Sequence, residues 1–167
     1  MPAKQPSPME RAQSSFKNLA SAASDLNRAS DELGATISTL DQALKELNLG
    51  ISGWVPIAEG EDKRTLDYWS REVGYAKVGS KWGIALREVS GNEIAPEKDI
   101  TSWLFGEAPR WMRIEAIAKI PDLIDHLVKQ AQTATERIKG KTAEAKALAE
   151  AINASTAQPE ATDETAA

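Results

Sequence analysis

Leucine recurs at strict intervals of seven through the first third of the chain, at Leu19, Leu26, Leu33, Leu40 and Leu47. Three residues before these stand Phe16, Ala23, Ser30, Ile37 and Leu44, so two positions of each heptad fall on one helical stripe. About four and a half heptads predict a coiled-coil helix over residues 7–49 rather than a single amphipathic turn or two. A long helix lying on a globular core is the plainer use of the same spacing. Ser7-Pro8-Met9-Glu10 marks its start, with Ser7 as cap, Pro8 at the first helical position and Glu10 closing a capping box. Asn48-Leu49-Gly50 marks its end, with Gly50 supplying a left-handed cap. Gly34 is a weak point inside, costing about 1 kcal/mol relative to alanine.

A second seven-residue register runs near the other end, through Ile117, Ile124, Ala131, Ile138, Ala145 and Ile152. Its companion positions hold Ile120, Leu127, Ala134 and Leu148, with Lys141 the one polar intruder. Gly106-Glu107-Ala108-Pro109-Arg110 reads as the opening of this helix, residues 107–154, and Pro121 should kink it. Gly140 is a second soft spot. If the two helices pair within one chain they run antiparallel, which sets Leu44 against Ile124, Ile37 against Ala131, Ser30 against Ile138 and Phe16 against Ile152. A two-helix hairpin buries only one stripe per helix, so the pattern further predicts a homodimer with four helices. A parallel homodimer, each helix beside its own copy, is the rival arrangement.

Between the helices the periodicity changes to two. Residues 50–113 carry all five tryptophans (Trp54, Trp69, Trp82, Trp103, Trp111) and both tyrosines, and residues 50–106 of that stretch read as a β head. Ile51 to Ile57 reads as a short edge strand, because Pro56 cannot donate to a ladder. Residues 59–64 read as a charged loop, and residues 66–70 fit either a helical turn or a strand. The clearest hairpin joins Glu72–Val78 to Lys81–Val89 through Gly79-Ser80, with Trp82, Ile84 and Leu86 on one face. Ser90-Gly91-Asn92 predicts the next turn, residues 94–99 a loop, and Ile100 to Phe105 a last strand. The fold class is therefore α+β and mostly helical: a helical stalk carrying a Trp-rich antiparallel β-meander head of three or four strands. The ends, residues 1–6 and 155–167, lack apolar patterning and are expected to be disordered.

Composition then narrows the chemistry. The chain of 167 residues has a formal net charge of −5, which argues against general affinity for nucleic acid or an anionic membrane. It has no cysteine, and so no thiolate nucleophile, disulfide or Cys-ligated metal. No apolar run reaches the roughly eighteen residues of a membrane span, and Met1 to Glu10 lacks a signal-peptide core. The expectation is a cytoplasmic protein. His126, the single histidine, lies beside Asp122 and Asp125 without a second imidazole, and reads as a solvated or packing residue. Glu59, Glu61 and Asp62 lack the oxygen spacing of a calcium loop, and Gly79-Ser-Lys-Trp-Gly83 matches neither phosphate-binding glycine motif.

Tryptophan interleaved with Lys77, Lys81, Arg87, Arg110 and Arg113 is the one suggestive set. The commonest use of such residues is a core of Trp rings covered by Arg stems. Arg110 and Arg113 sit at a helix start, where positive charge opposes the dipole and implies an acidic partner such as Glu107. The reading that follows is a non-enzymatic interaction or scaffold module, without metal or cofactor, meeting a protein partner through Trp54, Lys81, Trp82, Arg110, Trp111 and Arg113. Nucleic acid held by the basic and aromatic residues of the head is the alternative. An enzyme would need convergent carboxylates, for which Asp67 and Glu72 are the candidates.

Overall fold

The computed structural model describes residues 7–156. The expectations for residues 1–6 and 157–167 lie outside the described residues, while Ser155 and Thr156 complete the last helix. Helix α1 spans Pro8–Glu46 and opens on both halves of the expected capping box: the Ser7 hydroxyl accepts from the Glu10 N–H, and the Glu10 carboxylate accepts from the Ser7 N–H. Those bonds hold the Glu10 carboxyl below its ordinary pKa. The helix stops earlier than Gly50. Asn48, at φ 47°, takes the left-handed position directly after the cap, and Gly50, at φ 63°, turns the chain into the sheet.

Four strands follow, β1 (Gly53–Asp62), β2 (Asp67–Val78), β3 (Lys81–Asn92) and β4 (Lys98–Leu104), in one antiparallel sheet ordered as in the sequence. The Gly79-Ser80 hairpin forms as the pattern indicates, with Gly79 at φ 61°. Pro56 does lie on an edge strand, at a register irregularity before Ala58. Two expectations are corrected. Residues 59–62 are strand, paired with residues 67–70, and the turn is displaced to residues 63–66, where Asp62 caps the Arg64 N–H. Ser90-Gly91-Asn92 also stays in the ladder, opposite Trp69, Tyr68 and Asp67, and the chain turns after it. Charged and glycine residues were outvoted there by cross-strand pairing. Asn92 clasps Thr65 and Asp67 across that end, and the bond to Asn92 holds the Asp67 carboxyl below its ordinary pKa.

After β4, Phe105–Glu107 makes one tight turn, so Phe105 is not part of the strand. Helix α2 (Arg110–Ala116) is only seven residues long, a second tight turn covers Ile117–Lys119, and α3 runs Ile120–Thr156. The kink expected at Pro121 is thus a break just ahead of it, since a proline is tolerated only in the first turn of the helix it begins.

One sheet face is packed. Val55, Val73 and Leu86 form one buried cross-strand row, and Tyr75 with Ile84 forms the next. Ile37 and Leu44 of α1, Phe105, Met112 and Ala116, and Ile120, Leu123 and Leu127 of α3 close over them. The core is built without tryptophan: Trp82 and Trp103 only border it, Trp54 is half-buried, and Trp69 and Trp111 are 39% and 47% exposed. Burial among these groups raises the Tyr75 pKa, with the Asp41 charge adding to it.

Asp41 locks α1 to this sheet. Strand β4 ends with Leu104 opposite Ala85, and the Ile84 N–H beyond it donates to Asp41 Oδ1 at 2.7 Å. Asp41→Ala should cost about 1–3 kcal/mol by orphaning that donor, whereas Asp41→Asn should keep most of the stability. Chemical denaturation of the two variants measures the difference.

The helices do not form the intrachain antiparallel stalk. Arg110 bonds Asn27, Arg113 bonds Ser30, and Leu44 and Leu127 line one groove, so α1 and the α2–α3 segment run alongside each other in the same direction. Ser30 therefore faces Arg113 rather than Ile138, although Leu44 and Ile124 do share the groove. Residues 8–29 extend beyond one end of the head and residues 135–156 beyond the other, all exposed. The connection through the meander crosses the head before the second helix begins, which returns the chain to the side where α1 started.

Candidate functional site

Three of the six residues singled out by sequence line one cleft, and a fourth, Arg110, lies one helical turn before the last of them. A cleft of 410 Å³ between α1, the start of β3 and the start of α2 is lined by Lys81, Trp82 and Arg113, with Ser30, Asp41 and Lys45 from α1. Arg110 stands one helical turn before Arg113, its guanidinium donating to Asn27 Oδ1 at 2.9 Å. Arg113 donates to Ser30 Oγ at 3.0 Å. Asp41 is already occupied, by the Ile84 N–H and by Lys45 at 2.6 Å. The Trp82 ring leans on Tyr75, with centroids 5.6 Å apart, and makes an apolar wall.

The acidic partner expected for the two arginines is not found among the described residues. Among the described residues neither pairs with a carboxylate, Glu107 included. Both Nε–H groups are shut off from solvent and unbonded. A buried unmade hydrogen bond costs about 1–3 kcal/mol, so two at one edge call for an explanation.

The remaining two residues lie elsewhere. Trp54 lies on the sheet face away from the core, flat over Gly74, with the Arg87 guanidinium 4.2 Å from its ring and Glu72 paired to Arg87. Glu72 is thus engaged structurally. A Cβ on Gly74 would stand 2.4 Å from the Trp54 ring and 2.6 Å from the Gly53 carbonyl. Gly74→Ala should therefore cost about 1–3 kcal/mol and shift the tryptophan emission, read by thermal melting and fluorescence. Trp111 belongs to a separate stack in which Arg71 lies 4.9 Å from both the Trp69 and the Trp111 rings and is paired with Glu115.

Sequence reasoning missed Asn27, Ser30, Asp41 and Arg71. Asn27 and Asp41 sit on the polar flank of a heptad helix and Ser30 on its stripe, all far in sequence from what they hold, and nothing local marks them as site residues. Arg71 was legible in principle, since Trp69 and Arg71 are two apart and so share a face of any strand through them. His126 packs its ring over Gly53 and approaches Gln130 at 3.4 Å. Among the described residues no cluster of three His, Asp or Glu side chains is placed to hold a metal ion, and no helix is long and apolar enough to cross a membrane. No family model, curated protein or solved structure matches the chain.

Proposed function

We propose that the chain is a non-enzymatic interaction module that dimerises through its two helical arms and meets a protein partner through the head. The observation that carries this is the bareness of both heptad stripes beyond the head. Phe16, Leu19 and Leu26 on one arm are 72%, 64% and 50% exposed, and Ile138, Leu148 and Ile152 on the other are 65%, 64% and 61% exposed. Lone helices owe their stability to packing of such a stripe, and among the described residues nothing covers the stripe of either arm.

The occupant is a second copy. The arms are equally long, roughly 33 Å each at about 1.5 Å per residue, and leave the head at opposite ends. Because both helices run in the same direction, a two-fold axis across the molecule lays the first arm of one copy against the last arm of the other, antiparallel, twice over. That restores between chains the antiparallel register that the sequence pattern carries, with Phe16 facing Ile152 and Ala23 facing Ala145.

The absence of cysteine makes the test clean. Copies carrying Ala23→Cys, mixed with copies carrying Ala145→Cys, should form mixed disulfide dimers on oxidation, because bridging needs Cα atoms about 4.4–6.8 Å apart. Self-linking of Ala23→Cys alone would instead reveal the parallel pairing, and no linking in any mixture would remove the dimer.

A further inference from the structure

We infer that the cleft between α1, β3 and α2 binds a carboxylate-rich segment of a protein partner, anchored on Arg113 in the cleft and on Arg110 one helical turn before it. The inference deepens the reading of the head as a partner-binding surface and rests on it. Charge decides the class of ligand. Two guanidinium groups one helical turn apart are held in place by neutral acceptors, Asn27 and Ser30, and lack a counter-ion among the described residues. Like charges at this spacing repel each other, and the buried Nε–H groups add to the cost. An incoming carboxylate relieves the repulsion and takes the outward N–H donors in a planar fork that suits guanidinium geometry.

The rest of the cleft fits an acidic side chain with an aliphatic stem better than a bare phosphate. Lys81 adds a third positive charge; of the two carboxylates in the lining, Asp41 is already paired with Lys45, which leaves Asp31 to limit how much negative charge the cleft accepts. Trp82 offers an apolar wall for the aliphatic part of an acidic side chain. The volume of 410 Å³ lies within the roughly 300–1,000 Å³ of ligand sites.

The experiment is calorimetric titration of the full chain, at low ionic strength, with a terminally blocked hexaglutamate peptide. Inorganic phosphate, a single-stranded oligonucleotide and hexalysine serve as comparisons. Hexaglutamate should bind, weaken as salt rises, and lose at least about tenfold in affinity in both Arg110→Gln and Arg113→Gln. Arg113→Lys, which keeps the charge and loses the fork, should fall between, and Lys98→Gln, outside the cleft, should bind as the parent does. Circular dichroism confirms that each variant is folded. Absence of binding overturns the inference, as does equal affinity in the arginine variants, or phosphate or oligonucleotide binding tighter than the peptide. The masses of the same samples separate this inference from the dimer. Binding lost while assembly persists removes the cleft alone, and assembly lost while binding persists removes the arms alone.

Discussion

Replacing Leu19 and Leu26 together by aspartate is expected to turn the paired chain into a monomer while leaving the head folded. Each substitution brings a charge into an apolar seam, where an unpaired charge costs several kcal/mol. The dissociation constant should rise by at least about a hundredfold, and the helix content should fall as the freed arms fray. The head should melt where it did before, because α1 first touches the core at Leu33 and buries only Ile37 and Leu44 fully. Sedimentation equilibrium reads the mass and far-ultraviolet dichroism reads the arms. An unchanged mass in the double variant would sink the account of the arms.

Leu86→Ala is expected to have the largest effect on the head itself, about 2–5 kcal/mol. Leu86 is fully buried, paired with Val73 on one side and Trp103 on the other, and sits under the helical layer. Truncation leaves a cavity that the two flanking strands cannot close without breaking their ladders. Leu47→Ala, at a position 64% exposed beyond the end of α1, should cost little in an unassembled chain. Denaturant midpoints compare the two, and the slopes should stay alike if only stability changes.

The elements that local signals specify were legible in the sequence. Ser7 and Glu10 can cap only a helix starting at Pro8, and the Gly79-Ser80 pair needs a left-handed residue that forces the hairpin. The seven-residue registers correctly marked two long helices. Their mutual direction was not legible, because the same stripe serves a hairpin, a head contact or a second copy. What decides it is the bond pair Arg110–Asn27 and Arg113–Ser30, which joins residues 83 apart. Strand ends were misplaced at Glu59 and Ser90 because turn-forming residues there are held in the ladder by partners across the sheet. The tryptophans misled as a core signal. Stacking with Arg71 and Arg87 lets Trp54, Trp69 and Trp111 sit at the surface, and Gly60 and Gly74 make room for Trp69 and Trp54. Of the site, the sequence supplied Lys81, Trp82, Arg110 and Arg113, but the α1 residues that complete the cleft are visible only once the helix is docked.

The central claim is that the bare arms are covered by a second copy of the chain. Sedimentation equilibrium of the unmodified protein, followed across dilution from high micromolar concentration, tests it most directly. The account predicts twice the single-chain mass of 18.1 kDa, giving way to one chain only on dilution. A single-chain mass at every concentration, with the helix content of both arms intact, would contradict it.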